Sequence, residues 1–284
     1  MGGDTNAAVQ FTHARYAYER MMVRLQMSSG RDRWVIKGGV LMLALDAAVH
    51  RVTLDMDYSL RAGPAMSVTD ILRQVCSVQP SRQDGMSYQL VTEGKDAPRI
   101  LREESHNPTI RAKLVATLHC QRPNERRFAV DVTVAEMPFE PAMREWQPTI
   151  RGFEPMLVPA YPWELVLAEK VHAVLTGSFE NPRLRDYMDI IAITRADVAD
   201  PGAAAEAIRR VFEARGSAGR QHAKSPVGLS PEFAAVRQRD WTGTLARTGY
   251  AGVMPQTLAD AIEEVRGIVE PLLVVPERVR GPQI

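Results

Sequence analysis

The sequence predicts an α+β protein in which a strand-rich amino-terminal part is followed by a helical one. Three observations predict it. Residues 52–60, 110–119 and 128–134 alternate apolar and polar side chains with the period of two that marks a half-buried strand. That alternation disappears beyond Pro155–Pro162. Five helix-length segments then follow, at 163–175, 185–195, 203–214, 232–247 and 255–272. We therefore place a domain boundary near residue 158, giving 1–157 and 158–284, and 284 residues are enough for two cores.

Taken in order, residues 5–27 read as an opening helix that stops at Ser28-Ser29-Gly30. Trp34-Val35-Ile36 reads as a short buried strand, Lys37-Gly38-Gly39 as a turn and Val40 to Ala48 as a helix beneath it. In 52–60, Leu54, Met56, Tyr58 and Leu60 share one face and Thr53, Asp55, Asp57 and Ser59 the other. Residues 68–75 read as a helix and 88–91 as a strand, and the strands 110–119 and 128–134 form a hairpin through the polar stretch Gln121–Arg127. Gly216–Pro231 reads as an exposed loop.

Composition narrows the function classes. With 45% hydrophobic and 24% charged residues the chain is neither disordered nor fibrous. Its 35 basic and 34 acidic residues carry no overall signal for nucleic acid or membrane, so such a partner needs a local patch. Cys76 and Cys120 are too few for a disulfide framework and lack metal-ligand spacing; both read as buried thiols. The longest apolar run, Gly39–Leu45, falls far short of the roughly 20 residues of a membrane span, and the amino terminus shows no leader pattern. A cytoplasmic protein with no membrane partner is expected.

The chemistry concentrates in LDMD. Residues two apart on a strand point the same way, about 6.5–7 Å apart along the backbone, so Asp55 and Asp57 aim at one point and repel. A divalent cation relieves that repulsion, and hard oxygen donors suit Mg²⁺ or Mn²⁺ bridging substrate phosphates; otherwise both acids line a solvated strand face. In FAVDVTV, Asp131 takes the outward position, where it would complete a two-metal site or stand as a surface aspartate, with Glu136 as a substitute. Gly38 and Gly39 lack side chains that would hinder a phosphate, although turns use glycine widely.

In WELVLAEKVHAVL, Lys170 falls within the apolar stripe of Trp163, Val166, Leu167, Val171 and Val174, so it either snorkels out or points into a cleft holding anions. Asp186 shares the inward face of the next helix with Ile190 and Ile193, and Asp189 lies beside it; a dipole-favoured helix start is the other reading. Inward lysine and aspartate on consecutive helices predict one pocket. His172 falls on the opposite side from Lys170 and is expected to face solvent.

The order K-G-G, R-x-T-x-D-x-D, A-E-K, R-D-x-x-D, spread over Arg33 to Thr194, resembles the AbiEii-type nucleotidyltransferase toxins of type IV toxin-antitoxin systems, and is similar to the mycobacterial MenT toxins. The resemblance implies a polymerase-β-like nucleotidyltransferase lobe with a mixed sheet plus a carboxyl-terminal helical lobe. It implies Mg²⁺ (or Mn²⁺) on Asp55 and Asp57, and a nucleoside triphosphate bound through Gly38, Gly39, Arg51, Thr53 and Lys170. Asp186 matches the family's essential helical aspartate, and Asp131 or Asp186 would orient or deprotonate the acceptor. Val40 and Leu41 depart from the hydroxyl-plus-alanine pair common after the second glycine, which leaves the backbone contacts to phosphate.

The implied reaction moves a nucleotidyl group onto a hydroxyl, for MenT-like members the 3′ end of tRNA, blocking translation, with a cognate antitoxin as partner. Between residues 201 and 250, eight basic residues face four acidic ones, either an RNA-binding patch or a solvated helix surface. The alternatives are a DxD-type glycosyltransferase, a catalytically inactive antitoxin- or RNA-binding module and, third, a haloacid-dehalogenase-like phosphatase, which would need an apolar run where His50-Arg51-Val52-Thr53 stands.

Overall fold

The computed structural model describes residues 2–28, 30–45, 55–61, 67–102, 108–121, 123–135, 139–180, 182–220, 226–248, 250 and 252–274. The chain divides into two compact units, Met1–Tyr161 and Pro162–Ile284.

The first unit opens with helix α1 (Gly2–Met27), strand β1 (Trp34–Lys37) and the short helix α2 (Gly38–Leu41), which runs into a 3₁₀ turn at Met42–Ala44. Strand β2 (Asp55–Arg61), helix α3 (Val68–Ser77) and strands β3 (Met86–Leu90), β4 (Arg99–Arg102), β5 (Thr109–Leu118), β6 (Asn124–Ala135), β7 (Ala142–Trp146) and β8 (Met156–Ala160) complete it. Among the described residues these form one eight-stranded mixed sheet in the order β3-β5-β6-β2-β1-β8-β7, with β4 also paired to β5. The β2–β6 and β1–β8 pairs are parallel and the others antiparallel.

Alternation decides which face is buried. Trp34 and Ile36 of β1, Met56, Tyr58 and Leu60 of β2, Val130 and Val132 of β6, and Ala112 and Leu114 of β5 are all buried and fall in register on one face. Buried Tyr18, Met21 and Leu25 come from α1, where Tyr18 meets Phe128 edge-on with centroids 5.3 Å apart. Helix α3 begins where the Ser67 side chain accepts from the Asp70 N–H, and Val68, Ile71, Leu72 and Val75 form its buried stripe.

Several expectations are revised. The helix expected over 40–48 starts at Gly38 and gives way to 3₁₀ geometry at Met42; residues 46–50 lie outside the described set. Strands β4, β7 and β8 were not anticipated, and β8 runs through residue 158 to pair with β1, so the first unit extends to Tyr161. Neither thiol is fully buried: Cys76 is half-buried on the flank of α3, and Cys120 is exposed just past the last paired residue of β5.

The second unit consists of helices α4 (Trp163–Leu175), α5 (Leu184–Arg195), α6 (Pro201–Ala214), α7 (Pro231–Thr248) and α8 (Leu258–Leu273). Asp200 caps α6 ahead of Pro201 at its first position, and Thr257 caps α8. Ile190, Ile208, Phe212, Phe233, Trp241 and Val265 form the core. The segment expected as an exposed loop instead buries Gly228 and Leu229, and a Cβ on Gly228 would stand 2.3 Å from the Val174 carbonyl oxygen. Among the described residues no helix is long and apolar enough to cross a membrane.

One buried ion pair ties α1 to the sheet. The Arg24 guanidinium donates to Asp84 Oδ2 at 2.7 Å, to Asp84 Oδ1 at 3.1 Å and to the Met86 carbonyl at 2.7 Å, with both partners almost fully enclosed. Removing the carboxylate strands a buried cation, which costs about 3–5 kcal/mol. Asp84→Ala is therefore expected to lower the unfolding free energy by that amount in urea titrations, and a loss under about 1 kcal/mol would show that the pair is not the tie described.

Candidate active site

The face of the sheet opposite the core carries the acids. Asp57 of β2 pairs in register with Lys37 of β1 on one side and Asp131 of β6 on the other, and Asp131 pairs with Arg111 of β5. Partners in register share a face, so Lys37, Asp57, Asp131 and Arg111 form one transverse row across four strands, with cations outside and carboxylates within. Asp55 lies two residues before Asp57 on the same face, opposite Ala129.

Each member of the row is held differently. Arg111 grips Asp131 with two parallel bonds, Nε to Oδ1 at 2.7 Å and Nη2 to Oδ2 at 2.6 Å. Arg111 is held protonated above its ordinary range, first by hydrogen bonding to Asp131, against partial burial, and then by the charges of Asp131, Asp55 and Asp57. Lys37 reaches along the next row, donating from Nζ to Thr133 Oγ1 at 2.9 Å, with its ammonium 5.7 Å from the Tyr161 ring centroid. Thr133 Oγ1 also meets Thr109 Oγ1 at 3.0 Å, and the Tyr161 hydroxyl meets Ser59 Oγ at 2.6 Å.

Gly38 is constrained by Asp57. Its φ is +64°, a region L side chains rarely adopt, and a Cβ there would lie 2.2 Å from Asp57 Oδ2. The Gly39 N–H donates to the same oxygen at 3.4 Å. The glycine pair thus seats the Asp57 side chain, a role the sequence reading had not given it.

In the helical unit, Lys170 and Asp186 do come together. Lys170 Nζ lies 2.7 Å from Asp186 Oδ1 and 2.8 Å from Asp189 Oδ2, and Arg183 Nε donates to Asp186 Oδ2 at 2.7 Å. Asp186 and Asp189 are buried, and Lys170 retains 12% of its side-chain exposure. Burial alone would raise the Asp186 carboxyl, yet the charges of Lys170 and Arg183 and their hydrogen bonds bring it below its ordinary range. His172 corrects an expectation: it is buried, its ring centroid 4.7 Å from that of Phe212. Arg215 Nη1 lies 3.1 Å from Nδ1, and an arginine can only donate, so Nε2 carries the proton and donates to Ser217 Oγ at 2.9 Å.

Four more expectations meet the described residues unevenly. Arg51, Thr53 and Glu136 lie outside them. The basic stretch from 201 to 250 is no uniform cationic surface, because Arg209, Arg210, Arg215 and Arg237 each pair with a carboxylate. Arg111 went unnoticed in the sequence. The signal that would have found it is the hairpin register, in which it stands opposite Asp131.

A family model, the AbiEii nucleotidyl transferase toxin of type IV toxin-antitoxin systems, matches residues 20–264. The chain belongs to that family. No curated protein sequence matches it. Membership in AbiEii makes the chain a nucleotidyltransferase, with a nucleoside triphosphate as substrate and an antitoxin as the partner that a type IV system implies.

Nucleotidyltransferases generally use divalent metals, and the chemistry of two aspartates of this AbiEii chain suits such an ion. Asp55 and Asp57 offer hard oxygen donors side by side on an outward face, and the Gly39 N–H orients Asp57. Both Asp131 oxygens are engaged by Arg111, and among the described residues no three His, Cys, Asp or Glu side chains are grouped as metal ligands.

Two outcomes follow from this geometry. Gly38→Ala forces an alanine to positive φ against the Asp57 carboxylate; we expect a loss of about 1–3 kcal/mol in thermal or urea unfolding, together with impaired nucleotide transfer, and an unchanged midpoint with full activity would refute it. For Asp186, a folded-state pKa below the unfolded value means that its stabilisation is complete above the unfolded carboxylate range near pH ~4 and is lost as pH falls through the folded value. The stability gap between the native protein and Asp186→Asn should therefore be flat at neutral pH and shrink on acidification below ~4; a gap that widens there would contradict the assignment.

Proposed function

We propose that this AbiEii chain is a magnesium-dependent toxin of MenT-like activity that transfers a nucleotidyl group from a nucleoside triphosphate to the 3′ hydroxyl of tRNA in the cytoplasm. Capping that end prevents aminoacylation and stops translation. The carrying observation is the outward presentation of Asp55 and Asp57 on β2, with Asp57 seated by the Gly38–Gly39 turn. The first unit, with its mixed sheet, corresponds in this reading to a polymerase-β-like lobe.

Asp55 and Asp57 would hold the ion, which when bound offsets phosphate charge and lowers the pKa of an attacking hydroxyl. Gly38 and Gly39 seat the Asp57 carboxylate, and the family resemblance assigns them, with Arg51 and Thr53, to nucleotide contact. In the helical unit, Asp186 and Asp189 fix the ammonium of Lys170, the residue that the family resemblance assigns to nucleotide contact. Asp131 and Asp186 were candidates for taking the acceptor proton; each is already ion-paired, so we assign both to positioning. Membership in a nucleotidyltransferase family sets aside the glycosyltransferase and phosphatase readings.

The test incubates the protein with total tRNA, Mg²⁺ and each labelled nucleoside triphosphate in turn. Incorporation is expected from at least one nucleotide, abolished by EDTA, by periodate oxidation of the tRNA 3′ end and by Asp55→Ala, whose unfolding midpoint should match the native protein. No incorporation into any RNA would favour an inactive binding module, and full activity in Asp55→Ala would remove the metal assignment.

A further inference from the structure

We infer that Arg111 is a positioning residue that stands in for a second divalent cation: by clamping both oxygens of Asp131 it withdraws that carboxylate from the ligand set, so the site takes one ion, on Asp55 and Asp57. The inference rests on the reading of those two aspartates as metal ligands. It concerns a residue and a stoichiometry that the family assignment leaves open.

Three observations carry it. The grip is two-pronged, at 2.7 and 2.6 Å, so each Asp131 oxygen already has a charged donor. The pair is partly desolvated, with the Asp131 side chain 14% and Arg111 32% exposed, and a half-buried bidentate pair is costly to open. The register then places this guanidinium at the end of the row in which Asp131 adjoins Asp57, the position from which its charge offsets the inner carboxylates. A lysine would place a point charge there and leave one oxygen available, whereas the planar guanidinium occupies both.

Mn²⁺ alone, without nucleotide, counts the ions. Electron paramagnetic resonance titration of the intact protein is expected to give one bound Mn²⁺ per chain, still one in Asp131→Asn, and none in Asp55→Ala. Arg111→Gln frees the third carboxylate, and the count should rise to two, returning to one in the Arg111→Gln/Asp131→Asn double variant. Each variant's urea midpoint is measured alongside. If Arg111→Gln does not fold, Arg111→Lys, which keeps the charge but loses the two-pronged grip, is read by the same criterion. Two ions in the native protein falling to one in Asp131→Asn would overturn the inference and leave the metal assignment of Asp55 and Asp57 standing. A count that stays at one when the grip is removed would overturn it equally. No Mn²⁺ bound by the native protein, or binding undiminished in Asp55→Ala, would remove the underlying assignment and the inference with it.

Discussion

The parallel register of β2 on β6 is the constraint from which the rest of the sheet site descends, because it sets Asp57 beside Asp131 rather than beside Val130 or Val132. A slip of one residue would turn every side chain of β2 over, sending Met56, Tyr58 and Leu60 to solvent and the aspartates into the core. The register is therefore fixed by burial, with Trp34 edge-on to Tyr58 at 5.5 Å on the apolar side. Two like charges side by side on the other face are tolerated because their row ends in cations, Lys37 in β1 and Arg111 in β5. The acids are held in place by the burial that fixes the register and by counter-charges from the neighbouring strands.

Much of this was legible in the amino-acid sequence, for a definite reason. Period-two alternation around LDMD set the outward face of Asp55 and Asp57 without reference to any partner strand. The helices of the second unit were equally legible: α4 occupies the expected 163–175, since its apolar stripe begins after Pro162 and ends at Thr176. The inward positions of Lys170 and Asp186 followed from spacing alone, and their 2.7 Å contact shows the two stripes turned towards each other.

What was missed depended on partners. The polar stretch Gln121–Arg127 looked like the hairpin turn, yet β6 begins at Asn124 and the innermost ladder pair is Leu118 with Asn124, which centres the turn near Gln121. A turn centred on Asn124 would have set Thr117 opposite Asp131; the true one sets Arg111 there, and the ion pair follows. His172 failed for a similar reason. One amphipathic stripe predicts one buried face, but α6 covers a second flank of α4, and burial there is a tertiary fact. The strands β4, β7 and β8 are short, and one contains Pro159, so their pairing rests on neighbours rather than on their own pattern.

The two charged clusters solve the same electrostatic problem with different tools. In the sheet, carboxylates sit on neighbouring strands, and the fork of Arg111 fixes Asp131 at both oxygens. In the helical unit it is the cation that is fixed, Lys170 lying between Asp186 and Asp189 one helical turn apart, while Arg183 takes the second Asp186 oxygen. An arginine clamp immobilises an anion, whereas a pair of carboxylates immobilises a flexible ammonium. Each cluster sets its charges in advance by burial and paired hydrogen bonds, the preorganisation from which electrostatic stabilisation draws its strength.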